Sequence, residues 1–238
     1  MKNSILTPKP NSEGYRHELK YIISEAEAEL LAIRLRNALR PDPYAKEGGY
    51  FIRSLYFDDP FDSAVTEKVN GIEYRDKWRI RIYDLSDKVI KLERKHKNGQ
   101  FIKKDSLSLS KRECSALCAG VYGFLLHRKE PFAKEAYGEM VTKHLRPKVI
   151  VDYDREPFVF PVEDVRVTLD RNIRTGMHSV DLFNPNTITY PATEFMGQCI
   201  LEVKFNAYLA SYVMELLQLN AAQRSAASKY LYCRQYDC

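Results

Sequence analysis

The chain has 238 residues, 45% of them hydrophobic, and a formal net charge of +5. That length can bury a sizeable core, and the charge is too modest to mark a nucleic-acid binder by itself. No stretch is apolar enough to span a membrane. The first residues, MKNSILTPKPNSEG, lack the apolar centre of a signal peptide, which predicts a cytoplasmic protein with a flexible leader over residues 1–13.

The elements then follow in order. YRHELKYII alternates, with Arg16, Glu18 and Lys20 on one face and Leu19, Tyr21 and Ile23 on the other. Ser24 and Glu27 form a capping-box pattern that opens a helix, which Pro41 ends. YFIRSLYFDD predicts a strand, and residues 61–70 a short helix or loop. RDKWRIRIYD and KVIKLERKHK are alternating strands, and Asn98-Gly99 signals a hairpin whose returning arm is QFIKKDSLSLS. Residues 110–145 are predicted helical, with Ser110 and Glu113 repeating the capping box and a second helix after Pro131. Three strand patterns follow: PKVIVDYDREPFVF, VRVTLDRNI and, after a loop rich in Asn, Pro and Thr, QCILEVKFN. AYLASYVMELLQLN and AAQRSAASKYLYC are predicted as closing helices. No repeat or linker divides residues 14–238, so one domain of about eight strands with inserted helices is expected.

Five cysteines are present without a CxxC pair, and five histidines are scattered without metal spacing, so reduced, mostly buried thiols are expected. The informative feature is the charged face of the strands. It carries Arg16, Glu18 and Lys20; Arg79 and Arg81; Lys91, Glu93 and Lys95; Lys103 or Lys104; Tyr153 and Arg155; Arg166, Thr168 and Asp170; and Glu202 and Lys204. A half-buried antiparallel sheet alternates polar and apolar as a matter of course, and for a single strand solvated charge explains the pattern. For the whole set, Arg, Lys and Glu dominate where Thr, Ser or Gln would serve a wet face equally well. The predicted helices also need an apolar sheet face to pack on. If they cover the outside, the charged faces turn toward one another and line a barrel. An empty lumen of that kind is costly, since uncompensated burial costs several kcal/mol per ion. Glu18, Glu93 and Glu202 offset part of the charge, and the remaining positive excess asks for a polyanion, with Glu202 as the candidate ligand of a divalent cation.

In this order, YRHELKY, RSLYFDD, YRDKWRIRIY, KLERK, VDYDREPFV, VRVTLDRNI, ILEVKF and ASKY resemble the polyphosphate polymerase domain of the vacuolar transporter chaperone (VTC) family, among the triphosphate tunnel metalloenzymes. The resemblance implies an α+β fold, an eight-stranded antiparallel tunnel barrel with a basic lumen and helices outside. It implies synthesis of inorganic polyphosphate from ATP with a manganese or magnesium ion. By resemblance Lys20, Arg79, Arg81, Lys95, Arg155 and Arg166 act on phosphate, with Tyr153 and either Lys103 or Lys104 beside them. Glu202 resembles the metal-binding glutamate, and Ser228 and Lys229 a terminal pair at a tunnel mouth. Glu18 and Lys204 complete the expected substrate-binding set.

The stretch Arg16-His17-Glu18-Leu19-Lys20 has one glutamate fewer than the ExExK arrangement of the wider superfamily's triphosphatases, which mildly favours chain transfer over hydrolysis. The pattern of the chain resembles a free-standing, bacterial-type member, and a membrane partner would have to be a separate protein. Two other readings use the same residues: a triphosphatase acting on tripolyphosphate or nucleoside triphosphates, and a non-catalytic polyphosphate-binding module. A nucleic-acid duplex is disfavoured, because it would not enter a small barrel.

Overall fold

The computed structural model describes residues 14–42, 45, 48–99, 101–160, 162–217 and 224–235. The expected leader, 1–13, lies outside them. In chain order the strands are β1 (Arg16–Ser24), β2 (Arg40–Pro41), β3 (Tyr50–Asp58), β4 (Tyr74–Tyr83), β5 (Ser86–Asn98), β6 (Phe101–Leu109), β7 (Arg146–Phe160), β8 (Val165–Thr175), β9 (Tyr190–Pro191) and β10 (Gln198–Phe205). The helices are α1 (Glu25–Ala38), α2 (Ser63–Val69), α3 (Lys111–Cys118), α4 (Pro131–Thr142), α5 (Ser211–Leu217) and α6 (Lys229–Arg234).

Eight strands form a closed antiparallel barrel in the order β7-β3-β4-β5-β6-β1-β10-β8, and pairing of β8 with β7 closes it. The two-residue strands β2 and β9 extend its edges. The Asn98↔Phe101 register leaves a two-residue hairpin loop, and Gly99 takes φ +58° there, as such a turn requires. Both capping boxes are present: Ser24 accepts from the Glu27 amide, and Ser110 from the Glu113 amide.

The alternation of the strands decides which side each residue faces. Trp78, Ile80 and Ile82 of β4 point outward and pack with Leu117 of α3 and Ala136 and Met140 of α4. Tyr21, Leu201, Val203, Val167 and Leu169 point outward under Ala28, Leu31, Ala32 and Leu35 of α1 and Val213 and Leu217 of α5. Each fully buried leucine of this kind stabilises by about 1.5–3 kcal/mol. The charged faces therefore turn inward. Part of the inner face is apolar: Ile52, Val149, Val151, Ile173 and Ile200 cluster with Ala227, Tyr230 and Cys233 at the start of and within α6.

The seam between β6 and β1 is thin, with only Arg16↔Ile102 and His17↔Phe101 paired. Beyond it the free edge of β1 is met by the C-terminal segment, through a Tyr21↔Arg224 bridge and the Ser225 amide on the Lys20 carbonyl at 2.8 Å. This corrects the expectation of one closing helix from residue 221. Residues 221–223 lie outside the described residues, 224–228 run without helical structure, and the helix starts only at Lys229. Extended backbone is needed there to reach an open strand edge. Among the described residues Cys114, Cys118, Cys199 and Cys233 are free thiols, all but Cys118 buried; Cys238 lies outside the described residues.

Candidate active site

The inward faces enclose a cavity of about 320 Å3 lined by eleven lysine and arginine side chains and the carboxylates Glu18 and Glu202. Buried acids behind or among the cations hold them in place. Glu93, on β5 opposite Arg79, accepts from Arg79 Nε at 2.8 Å and from Lys104 at 3.0 Å, and lies 3.7 Å from Arg81. Arg79 also donates to the Tyr56 hydroxyl at 2.9 Å, and Arg81 to the Tyr153 hydroxyl at 2.8 Å. Asp170 takes a bidentate pair of bonds from Arg155, at 2.6 and 2.7 Å, and an ion pair from Lys229 at 2.5 Å. Arg166 donates to Asp42 at 2.6 Å and to the Tyr50 hydroxyl at 2.8 Å.

On β1 and β10 the charges interleave. Lys95 donates to both Glu18 oxygens, at 2.8 and 2.6 Å. Lys20 lies 3.4 Å from Glu202 and 3.7 Å from Glu18, and Lys204 pairs with Glu202. These contacts set the titration of the site. Burial and the neighbouring Glu202 would raise the Glu18 carboxyl, but Lys20, Lys95 and Lys204 together hold it at about 2. Burial likewise opposes ionisation of Asp170, and Arg155 and Lys229 prevail, again at about 2. Glu202 is held well below the usual carboxylate range against its burial, by Lys204, Lys20 and Arg155. The acids are thus anionic at neutral pH, and their cations are oriented before any ligand arrives.

The donor set fits a hard divalent cation in one way only. Among the described residues no cluster of three or more His, Cys, Asp or Glu side chains could hold a metal. Glu202 and Glu18 face the cavity from adjacent strands, linked through Lys20. Two carboxylates suit magnesium or manganese when phosphate oxygens and water supply the other ligands.

The residues expected from the sequence come together here. Glu18, Lys20, Arg79, Arg81, Lys95, Lys104, Tyr153, Arg155, Arg166, Glu202, Lys204, Ser228 and Lys229 all line the cavity. The ambiguity between Lys103 and Lys104 resolves by register: Lys104 pairs with inward-facing Lys95, whereas Lys103 pairs with His96 on the other face and does not line the lumen. Lys77, Asp170, Tyr50 and Tyr56 are among the site residues absent from the expected phosphate-binding set. Lys77 and Asp170 share the alternation of Arg79 and Arg166, so a signal for them existed. Tyr50 and Tyr56 lie at spacing two along β3 among Ile52 and Ser54, a mixture that carries no readable pattern.

No curated protein matches the chain. Among solved structures, an adenylyl cyclase candidate from Hippeastrum, described as having a dominant triphosphatase activity, shares the fold with a TM-score of 0.55 at 15% identity, covering 94% of this chain and 97% of that one. An adenylate cyclase candidate from Bacillus halodurans gives 0.54 at 11% identity, covering 90% and 95%. At these identities the likeness shows the tunnel-barrel fold alone. The profile of the VTC domain matches residues 15–236, nearly the whole chain, so this protein belongs to the VTC domain family.

Proposed function

We propose that the protein is a polyphosphate polymerase, transferring the γ-phosphoryl group of ATP onto the end of an inorganic polyphosphate chain. The observation that carries this reading is the convergence of Arg79, Arg81, Arg155 and Lys229 on one enclosed cavity, each braced by a buried acid or a tyrosine hydroxyl. Such a ring meets a linear phosphate chain with charge-assisted hydrogen bonds from several sides and needs no rearrangement as charge develops.

In the transfer, a terminal phosphate oxygen of the acceptor forms a bond to the γ-phosphorus. The bond from that phosphorus to the β,γ-bridging oxygen breaks, its electron pair leaves with ADP, and the chain is one phosphate longer. Arg79 and Arg81 neutralise the equatorial oxygens, and Arg155 and Lys229 orient the donor. Glu202 and Glu18 are the carboxylates that would hold a magnesium or manganese ion, which when bound would further neutralise phosphate charge. The acceptor oxygen is already ionised at neutral pH, so no strong base is required.

The test is purified protein with γ-labelled ATP and manganese, with the products resolved on a high-percentage gel. A ladder of long labelled chains is the expected result. Labelled orthophosphate alone would establish a triphosphatase instead. No turnover, with polyphosphate still raising the melting temperature, would establish a binding module.

A further inference from the structure

Helix α1 buries one apolar face and exposes another. Ala28, Leu31, Ala32 and Leu35 pack on the barrel in one cluster with Leu201 and Val203. On the solvent side Leu30 is 58% exposed and Ile33 52%, with Ala26 and Asn37 exposed as well. A helix that covers a barrel needs one apolar stripe and ordinarily turns polar residues to water. Scattered exposed apolar side chains call for no explanation. These are not scattered. Positions 26, 30, 33 and 37 follow one another at spacings of four, three and four, which sets them in one line along the helix. That is the seam spacing of two paired helices. Two neighbours widen the patch. Met196 is exposed and precedes the Gly197 carbonyl, which accepts from the Glu25 amide at 3.1 Å in the first turn of α1. α5, packed in the same cluster, exposes Tyr212 and Met214.

The charges beside the seam identify its occupant. Glu27 and Glu29 border it in the first half of the helix and Arg34 and Arg36 in the second, all of them exposed. Acids at the start and bases at the end suit the dipole of the helix itself, and Glu27 also serves the capping box, so the charge order has a local reason. Within the chain Glu29 pairs with Arg171 at 3.0 Å and Arg36 with Glu156 at 2.7 Å, and both side chains remain half-exposed. The apolar line between these charges has no local reason. Two copies of α1 set antiparallel about a twofold axis would place Leu30 of each against Ile33 of the other, and Ala26 against Asn37. Glu27 would then lie beside Arg34 of the second copy on one flank, and Glu29 beside Arg36 on the other. Each contact occurs twice, and the two helix dipoles oppose one another. The surface is complementary to itself.

We propose that α1 is the interface between two copies of this chain, paired antiparallel about a twofold axis. A helix of 14 residues is about 21 Å long, which puts the contact at the small end of stable interfaces and its affinity in the micromolar range. No residue of α1 lines the cavity, so both lumens stay open and turnover per chain is the same in monomer and dimer.

Sedimentation of the whole chain across micromolar concentrations should show a monomer–dimer equilibrium. Leu30→Glu/Ile33→Glu should be monomeric throughout, with unchanged circular dichroism and turnover. Arg34→Glu, which leaves the apolar line intact, should weaken association about tenfold, because symmetry counts each lost pair twice. Orientation is read by cross-linking under copper-phenanthroline oxidation, with wild type as the control for native thiols. Ala26→Cys mixed with Asn37→Cys should give cross-linked dimer. Asn37→Cys alone should not, since about 16 Å of helix separates the two copies of that position. A wild type that stays monomeric overturns the proposal, as does a dimer of wild-type affinity in both charge variants. Asn37→Cys that cross-links to itself as readily as to Ala26→Cys overturns the antiparallel arrangement.

Discussion

Lys77 and Ser228 stand 151 positions apart in sequence and meet at 2.7 Å, joining β4 to the C-terminal segment. No carboxylate offsets this ammonium, and burial, with Lys20, Lys95 and Lys68 nearby, pulls it well below the ordinary lysine range. A lysine whose folded-state value is depressed destabilises the fold while it must carry its charge, and the cost disappears as pH rises toward the unfolded value. Lys77→Met should therefore stabilise the empty protein, by about 1 kcal/mol, while weakening polyphosphate binding. Melting curves with and without polyphosphate check this, and a variant less stable than wild type when empty would contradict it.

Arg79 is braced by Glu93 and Tyr56 and aimed at the cavity. Arg79→Ala should lower turnover by about 10²–10³-fold, the usual effect of losing one preorganised donor to developing charge. The fold should persist, because Lys104 and Arg81 still flank Glu93. Near-normal turnover by a folded variant would remove Arg79 from the site.

Asp170 is fully buried and serves two cations, Arg155 and Lys229. Asp170→Asn leaves both without a counter-charge and should cost about 3–5 kcal/mol. Polyphosphate should restore part of the lost melting temperature by supplying the missing negative charge. Melting in the presence and absence of polyphosphate measures both effects, and a loss under about 1 kcal/mol would mean that water already shields the pair.

The acid limb of stability has a defined sign. Asp170 and Glu18 are held at about 2, below 3.8 and 4.5 for the free side chains. Their contribution is complete above the unfolded values and is lost as pH falls through the folded ones, so unfolding takes up protons between about pH 4 and pH 2. Melting temperature should drop across that interval, and less steeply in Asp170→Asn. Identical acid limbs in variant and wild type would refute this assignment.

On the outside, Leu35 of α1 is completely buried against β8 and β10. Leu35→Ala should destabilise by about 2–5 kcal/mol through a cavity. Activity per folded molecule should hold, because the helix contacts only the outer face of the barrel. Chemical denaturation and specific activity of the folded fraction test both halves.

Local patterns carried much of this structure. Alternation along RDKWRIRIY placed Trp78, Ile80 and Ile82 under the helices and Arg79 and Arg81 in the lumen, because a strand offers only two faces and the apolar one must be covered. The same rule pointed at Lys77 and Asp170, yet which members of a charged face matter depends on their partners. Those partners, Ser228 for Lys77 and Arg155 with Lys229 for Asp170, come from distant parts of the chain. The 224–228 segment had no periodicity to read, since it bonds to one strand edge and alternates with nothing.

By itself, then, the sequence determined most of the elements up to the C-terminal segment, the inward turn of the charged faces and the family, since each follows from short-range spacing and from motifs in order. Closure of the barrel, the choice of Lys104 over Lys103, and the pairing of each buried acid with its cations were decided by tertiary structure alone. The reason is physical: compensation of a charge depends on distances of a few ångströms between residues up to 207 positions apart, as for Lys20 and the Ala227 carbonyl, and no local pattern encodes such a distance.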